Sequence, residues 1–369
     1  MAAVDRWREL GRGRMARRRF LRLTAAGVGA IALARGTGDR VALAQFEELY
    51  RLARAEGQLN LYGGGPTAPF QALGRQFVAA FPGIAVNVTG GFSNELAPEI
   101  DRQIAAGRIE CDITILQTLQ DFERWKRGNA LLPFQPAGFD QIPDTFKDPD
   151  GTSVGIRVTG VAFAYSPARV PEDNVPRTAL DFLDPKLGGL CITCYPHDDD
   201  VTLYRFDTIV QRHGWEFMDR LMVNRPQFIR GHLGVVREIM AERAGVSFDS
   251  TLSSTLSAQA SGGNIALVIP EEDALPIWPQ SAGIFRGAPH PNAAKLFLSW
   301  LLSREEQGRL PPGYWSVRQD VAPPTGLRPV FEYNVANDFR AFVADEARLE
   351  ELRRRYQEYI GPIRGEPVI

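Results

Sequence analysis

The chain has 369 residues, of which 44% are hydrophobic and 23% charged, with 35 Gly and 26 Pro. These proportions exclude a mainly disordered or collagen-like chain, and the length favours two lobes or domains over a single core. The formal net charge of -2 conceals an asymmetry, because residues 1–44 hold ten Arg and no Lys. The rest of the chain has 32 basic and 41 acidic residues, a net charge of -9, which argues against nucleic acid or an anionic membrane as the main partner.

The first 44 residues have the pattern of an export signal. The run Arg17-Arg18-Arg19-Phe20-Leu21 precedes an apolar segment at 23–34, whose 12 residues are too few to cross a bilayer core about 30 Å thick. The small residues at 42–44 have the spacing that a signal peptidase reads, so cleavage is expected after Ala44. The basic run is similar to a twin-arginine signal and predicts a periplasmic mature protein. An N-terminal helix or anchor that is not cleaved is the alternative.

The mature chain opens with alternating strand and helix patterns. A strand is predicted at Gln58–Tyr62, and apolar residues then recur at helical spacing over 70–81. Further strands are predicted at Ile84–Val88 and Asp112–Leu116, with a helix between them that Pro98 restricts to a start near 94–97. This order predicts a parallel sheet covered by helices.

Shorter elements are predicted in the rest of the chain. The expected strands are Val161–Tyr165, Leu190–Cys194, Ile265–Ile269 and Ala282–Phe285. The expected helices are Asp207–Met222, a buried helix at Asn292–Leu302, and a charged helix or helix pair at Asp338–Tyr359. A charged pattern of this last kind is typical of a solvated outer layer.

Several short runs occur in a characteristic order along the chain. They are Ala55-Glu56-Gly57, Phe81-Pro82-Gly83-Ile84, Ser93-x-Glu95-Leu96, Ala106-Gly107-Arg108, Cys111-Asp112-Ile113, the run Gly287 to Phe297, and Trp300-Leu301-Leu302-Ser303. With these runs the chain resembles the extracellular solute-binding proteins of ABC importers, in the branch that includes periplasmic ferric-iron-binding proteins. The resemblance extends over about residues 45–325.

The resemblance implies an α/β fold of the type II periplasmic-binding-protein class, with two lobes joined by two crossing strands and a ligand cleft between them. Lobe 1 would hold 45–158 and 278–325, and lobe 2 would hold 159–277. The segment 326–369 would form helices that pack on the outside. The implied protein is a monomeric, non-enzymatic receptor without a cofactor, which captures a small molecule or ion and delivers it to an ABC permease in the inner membrane.

Polar residues and glycines follow the first three predicted strands, where a parallel sheet binds ligands. The candidates in this lobe are Tyr62, Gly64, Gly65, Thr67, Ser93, Asn94 and Gln117. Glycines allow a ligand to approach backbone N–H groups, and a helix N-terminus suits an anion or polar ligand. A plain turn at the glycines and simple helix capping by Ser93 and Asn94 are the alternatives.

The candidates in lobe 2 are acidic and aromatic. They are Tyr165, Tyr195, His197, Asp198, Tyr204, Glu271 and Glu272. Together with the run Asp198-Asp199-Asp200 they predict an acidic wall that would suit a cationic ligand or a metal ion. A solvated acidic loop is the alternative.

The identity of the ligand stays open from the sequence. The family's iron-binding members use adjacent tyrosines late in lobe 2, whereas here only Tyr195 and Tyr204 lie in that half before the return strand, and they are not adjacent. Oxygen ligands nevertheless suit hard cations, so ferric iron remains an alternative. Organic anions, phosphonates, polyamines and thiamine-like compounds are the other ligand classes that the resemblance implies.

A C-x-x-C run at Cys191 and Cys194 raises the possibility of a redox protein. The run lies in a predicted strand, where three residues span about 10 Å, whereas a disulfide needs Cα atoms within about 7 Å. Buried free thiols are therefore the favoured prediction. An enzyme or redox protein on the same fold is the rival, although no Walker, H-E-x-x-H or Gly-x-Ser-x-Gly motif occurs in the sequence.

Overall fold

The structure is a computed structural model that describes residues 37–368, with side chains from residue 46 onward. The predicted export signal lies outside the described residues, apart from the backbone of 37–44. There the first helix, α1 (Thr37–Glu56), runs through the predicted cleavage point at Ala44. None of the described helices is long and apolar enough to cross a membrane.

Strands and helices alternate along most of the described chain. The strands are β1 (Gln58–Gly64), β2 (Ala85–Gly91), β3 (Ile113–Leu116), β4 (Val154–Tyr165), β5 (Ile192–Cys194), β6 (Gln227–Ile229), β7 (Val246–Thr251), β8 (Ala266–Val268), β9 (Leu275–Ile284) and β10 (Val335–Ala336). The helices after α1 are α2 (Thr67–Ala80), α3 (Ser93–Ala105), α4 (Leu119–Arg127), α5 (Asp200–His213), α6 (Glu216–Val223), α7 (His232–Met240), α8 (Leu252–Ala260), α9 (Pro291–Leu301), α10 (Arg304–Gln307), α11 (Phe339–Ala344) and α12 (Glu346–Ile360).

The first three strands form the parallel sheet that the sequence predicts. β1 pairs in parallel with β2 on one side and with β3 on the other. Helices α2, α3 and α4 start directly after β1, β2 and β3, so the three helix N-termini lie at one edge of the sheet. We call this edge the lobe-1 rim.

Two long strands connect this sheet to the second lobe. β9 pairs antiparallel with β3 and with the first half of β4, from Val154 opposite Ala282 to Gly160 opposite Ile277. The second half of β4 pairs with β7 and β8. The sequence predicted only the ends of these strands, because Gly155, Gly160 and the prolines of β9 interrupt the apolar pattern although the backbone stays paired.

The second lobe repeats the arrangement with shorter strands. β5 pairs in parallel with β6, and Cys191 forms a parallel bridge with Val246 at the start of β7. Helices α5, α7 and α8 start after β5, β6 and β7, and we call this edge the lobe-2 rim. The single helix predicted at Asp207–Met222 is wrong, because the chain breaks into α5 and α6 at Gly214, which has a φ of 74°.

Each lobe has an apolar core. In the first, the ring of Phe77 lies 5.1 Å from Phe297 and 5.5 Å from Trp300. The second contains Phe206 and Tyr356 of the last helix, α12, whose rings are 5.4 Å apart. The charged C-terminal segment thus has a buried apolar face that belongs to the second core. The exact domain boundaries at residues 158, 277 and 325 stay a prediction.

Candidate functional site

The lobe-1 rim presents three helix starts without side-chain caps. The N-cap residues of α2, α3 and α4 are Pro66, Phe92 and Thr118, and none of them makes a side-chain capping hydrogen bond. Helix N-termini of this kind carry a partial positive charge and unpaired N–H groups. The rim is therefore electrostatically suited to an anion.

Helix α3 differs in detail from the prediction. It begins at Ser93, so Ser93 and Asn94 lie in its first turn and Phe92 holds the N-cap position, while Pro98 falls in the second turn. The capping alternative for Ser93 is wrong, because its Oγ instead accepts a 3.3 Å hydrogen bond from the backbone N–H of Gln117. This bond brings three candidates, Ser93, Asn94 and Gln117, together at the rim.

The glycines after β1 have internal structural roles. A Cβ on Gly64 would overlap the hydroxyl of Ser93, and Gly65 has a φ of 127° that favours glycine. The N–H of Gly65 donates to the carbonyl of Gly91 at 2.7 Å, so it already has a partner. Thr67 packs closely on Gly90 at the same edge. A role of these residues in ligand binding remains a prediction.

Tyr62 points away from the rim. Its hydroxyl accepts a 3.1 Å hydrogen bond from the amide of Gln103. Gln103 lies ten residues along α3 from Ser93, which corresponds to about 15 Å at 1.5 Å per residue. The phenol of Tyr62 is therefore directed to the opposite end of the helix.

An arginine on a crossing strand lies next to the lobe-1 rim. Arg157 of β4 and Gln280 of β9 are register partners, and Nε of Arg157 donates to Oε1 of Gln280 at 2.6 Å. The amide of Gln280 in turn donates to the carbonyl of Gly64, at the end of β1, at 3.4 Å. The sequence analysis missed Arg157, although a charged residue inside an otherwise apolar strand was an available signal.

The surroundings of Arg157 also reach the second lobe. Its guanidinium lies 4.2 Å from the ring centre of Tyr314. The neighbouring Gly313 packs against Leu252 at the start of α8. Among the described residues, no carboxylate lies within ion-pairing distance of Arg157. The guanidinium is thus a cation without an acidic partner, placed next to the lobe-1 rim.

The acidic run at the lobe-2 rim is neutralised by its neighbours. Asp198 forms a 2.7 Å ion pair with Arg230, and Asp200 pairs with Arg353. Asp199 caps α5 by accepting from the N–H of Thr202 at 2.8 Å. Each of these carboxylates has a partner within the protein. They therefore form neither a solvated loop nor an acidic wall that attracts a cation, the two alternatives expected from the sequence.

Asp200 also marks where the two rims meet. The side-chain amide of Gln120, in the first turn of α4, donates to its carboxylate at 3.1 Å. The first turns of a lobe-1 helix and a lobe-2 helix are therefore in direct contact. Any space between the two rims would be bordered on one side by this contact, and the crossing strands would form its base.

Tyr195 and His197 follow β5 and pack into the lobe-2 rim. The ring of Tyr195 lies 5.6 Å from Phe228 and 5.4 Å from His197. Burial lowers the pKa of His197, against smaller opposing effects of the Gly361 backbone and Asp198. The imidazole is therefore neutral at pH 7.

Other predicted lobe-2 candidates lie away from the rim. Tyr204 is 2% exposed and belongs to the second core, and its hydroxyl donates to the carboxylate of Asp338 at the edge of that core. Tyr165 pairs with Val246 at the amino end of β7, because β4 runs antiparallel to that strand. These two expected ligand contacts are not supported by the positions of the side chains.

Glu271 and Glu272 are also remote. They precede Asp273, whose carboxylate lies 3.2 Å from His213 at the C-terminal end of α5. That helix has 14 residues and starts at the rim, so its far end is about 21 Å away. The turn between β8 and β9 thus lies at the opposite side of the lobe.

A buried polar pair that the sequence analysis missed lies behind the lobe-2 rim. Nε2 of His232 is 3.2 Å from Oδ1 of Asp249, which is fully buried. Burial lowers the pKa of His232, but the charges of Asp249 and Asp199 outweigh it and raise the pKa to about 9. Cys194 lies beside this pair and is a free, buried thiol, as are Cys191 and Cys111. The prediction of buried free thiols is confirmed.

Two α/β lobes with facing strand ends, joined by two crossing strands, are the architecture of a protein that holds a solute between its lobes. The sequence matches the family model "Bacterial extracellular solute-binding protein" over residues 59–310. The chain belongs to this family. No curated protein sequence gives a significant match.

Solved structures with the same fold cover most of the chain. Iron-bound HitA from Pseudomonas aeruginosa is 17% identical with a TM-score of 0.68, over 81% of this chain and 99% of its own. AfuA from Actinobacillus pleuropneumoniae, with fructose-6-phosphate bound, is 17% identical with a TM-score of 0.67, over 82% and 98% of the two chains. A substrate-binding protein of an ABC transporter from Agrobacterium tumefaciens is 16% identical with a TM-score of 0.68, over 82% and 94%.

These comparisons confirm the predicted class. The protein has the type II periplasmic-binding-protein fold and is a bacterial extracellular solute-binding protein. At 16–17% identity the solved structures establish the fold and leave the ligand open.

Proposed function

We propose that the mature chain is a periplasmic receptor for an anionic solute, which it holds between its lobes and delivers to an ABC permease. The ligand would carry a phosphate or carboxylate group that pairs with Arg157. The observation that carries the proposal is the unneutralised guanidinium on the crossing strand, beside three uncapped helix starts. A planar guanidinium matches both anions with two parallel hydrogen bonds.

The charged residues of the two rims favour an anionic ligand over a cationic ligand. The lobe-2 carboxylates Asp198 and Asp200 are each paired with an arginine. Arg157 has no such partner among the described residues, so its guanidinium leaves an uncompensated positive charge next to the lobe-1 rim. A polyamine or a thiamine-like cation would meet this charge unfavourably.

The positions of the tyrosines give no support to ferric iron as the ligand. Tyr204 is directed into the second core, where burial and the Asp338 carboxylate raise its pKa and keep it protonated. Of the lobe-2 tyrosines predicted as ligands, only Tyr195 remains near the rim, and it is 6% exposed. A tyrosine pair that binds iron as two phenolates therefore has no counterpart in the described lobe 2.

The test is a binding screen of the mature chain, starting at residue 45. Inorganic phosphate, citrate, a hexose phosphate, spermidine, thiamine and ferric citrate would be compared by thermal shift, followed by titration calorimetry. We expect one or more anions to raise the melting temperature, since a ligand that binds only the folded state stabilises it. Arg157→Gln should lower the affinity for that anion by about 10- to 100-fold, the range of a lost charge-assisted hydrogen bond.

Arg75→Gln is the matched control. Arg75 is exposed on α2 and removal of its charge changes the net charge by the same amount. Binding should be unchanged in this variant. Stabilisation by spermidine or thiamine alone, or equal losses in the Arg157 and Arg75 variants, would contradict the proposal.

A further inference from the structure

Three potential metal ligands converge behind the lobe-2 rim from separate elements. Cys194 ends β5, His232 begins α7, and Asp249 lies in β7. The thiol sulfur, an imidazole nitrogen and a carboxylate oxygen all lie within 4.8 Å of one another. The fold thus brings together residues that are 38 and 17 positions apart in the sequence.

The site is enclosed. Cys194 is 1% exposed and Asp249 is fully buried, while the side chain of His232 is 13% exposed. An ion in this position would be shielded from bulk water and held by the protein. The site shares no contact with Arg157, and an ion there would not require the proposed solute.

The carboxylate is held in one orientation. Oδ2 of Asp249 accepts hydrogen bonds from the hydroxyls of Thr193 and Thr202 at 3.1 and 3.0 Å, and from the N–H of Cys194 at 3.1 Å. This leaves Oδ1 directed at Nε2 of His232. Outer contacts that orient a ligating side chain in this way are typical of metal sites.

The spacing and the donor types suit one class of metal. Ligand atoms about 2.0–2.1 Å from a tetrahedral ion lie about 3.3 Å apart. The distance from Nε2 of His232 to Oδ1 of Asp249 is 3.2 Å, which is close to that separation. A set of thiolate, imidazole and carboxylate favours zinc and similar divalent transition metals over calcium, magnesium or ferric iron.

We propose that Cys194, His232 and Asp249 bind one divalent transition-metal ion, of which Zn²⁺ fits best. Water would complete the tetrahedron as the fourth ligand. The ion would join the carboxyl ends of β5 and β7 to the start of α7, and so stabilise the lobe-2 rim. A buried His232–Asp249 ion pair with the thiol as a bystander is the competing explanation.

The test is a Co²⁺ titration of the full mature chain, after chelator treatment and without an affinity tag. We expect saturation at one equivalent, a sulfur-to-cobalt charge-transfer absorption band and the visible bands of tetrahedral Co²⁺. One equivalent of Zn²⁺ should abolish both signals and raise the melting temperature.

Two cysteine variants distinguish a metal site from a buried ion pair in which the thiol takes no part. Cys194→Ser should abolish the charge-transfer band and weaken Zn²⁺ binding by more than about 100-fold, since even loss of an outer contact costs 10- to 100-fold. Cys191→Ser is the matched control, because Cys191 is equally buried in the same run and is not among the converging ligands. It should keep the band and the affinity.

Two results would contradict the proposal of a metal site. One is the absence of saturable Co²⁺ and Zn²⁺ binding by the wild-type chain, a measurement that does not depend on any variant folding. The other is equal metal binding by the Cys194→Ser and Cys191→Ser variants. Either result would leave His232 and Asp249 as a buried ion pair.

Discussion

Nε of Arg157 donates a 2.6 Å hydrogen bond to Oε1 of Gln280, across the two strands that join the lobes. Because both residues lie on the crossing strands, they move less than either rim when the lobes rotate about those strands. Under the proposed function, this contact would give the anion an anchor that stays in place as the lobes close. The lobes would then supply the remaining contacts by closing.

Gln280→Glu tests this anchor without removing the arginine. The new carboxylate would replace the amide and pair with Arg157, which neutralises the guanidinium that we assign to the ligand. We expect the affinity for the anion to fall by at least about 10-fold while the fold is retained, as measured by calorimetry and circular dichroism. Gln280→Leu should weaken binding less, because it leaves the positive charge in place; the reverse order would contradict the role of charge.

Tyr356 gives a test of the C-terminal helix. Its side chain is fully buried against Phe206 and Trp215, and its hydroxyl has no hydrogen-bond partner among the described residues. Tyr356→Ala should lower the free energy of unfolding by about 3–5 kcal/mol, the usual cost of removing a large buried aromatic side chain. Denaturant unfolding would measure it.

Tyr356→Phe is the matching variant and should act in the opposite direction. It removes only the unpartnered hydroxyl, so the free energy of unfolding should stay equal or rise by about 1 kcal/mol. A loss as large as that of the alanine variant would show that the hydroxyl does have a partner in solution.

His197 predicts a specific pH dependence. Its pKa in the folded chain is lowered, mainly by burial, and the groups facing it are Tyr195, Asp198 with its partner Arg230, and the Gly361 backbone. Below the unfolded pKa of about 6.5 the unfolded chain binds a proton that the folded chain does not, so stability falls as the pH drops. His197→Gln should therefore lose less melting temperature than wild type between pH 7 and pH 5.

The range from pH 7 to pH 8 is the control for this comparison of wild type with His197→Gln. Between pH 7 and pH 8 the imidazole is neutral in both states, so the difference between the two proteins should be constant there. Parallel curves down to pH 5 would show that His197 takes up its proton normally in the folded chain.

The C-terminal helices connect the lobes. Arg340 of α11 pairs directly with Glu123 of the lobe-1 helix α4. Arg353 of α12 pairs with Asp200 at the lobe-2 rim, and that carboxylate also accepts a hydrogen bond from Gln120 of α4. Replacing both arginines with glutamine should cost only about 0–2 kcal/mol in stability, since each pair is partly exposed. It should also loosen the ligand-free protein, seen as a larger radius of gyration in small-angle scattering.

Arg354→Gln provides the control for that experiment. Arg354 forms an exposed pair with Glu358 inside the same helix, α12, so it does not connect the lobes. This variant should scatter like wild type. An equal change in both variants would indicate a general effect on the C-terminal helix.

Much of lobe 1 could be predicted because its signals are local. The alternation at Gln58–Tyr62 and the helical spacing after it reflect a strand and a helix that bury one face each. Phe77 could be assigned to the core for the same reason. The candidates at the ends of β1, β2 and β3 followed from the rule that parallel strands share a carboxyl edge.

Lobe 2 was harder to predict because its site depends on strand direction and side-chain partners. Tyr165 lies at the wrong end since β4 runs antiparallel to β7. The sequence around Asp198 contains no partner for its carboxylate. In the structure it pairs with Arg230, which is 32 positions away along the chain. Neither relationship leaves a pattern in neighbouring residues.

The sequence by itself determined the class of the protein: the alternating strands and helices, the family runs and the buried thiols all follow from local pattern and composition. Only the tertiary structure decided the chemistry of the site. It placed Arg157 beside Gln280, and Cys194 beside His232 and Asp249. These pairings depend on which strands are neighbours and in which direction they run, and such long-range geometry is set by packing of the whole chain.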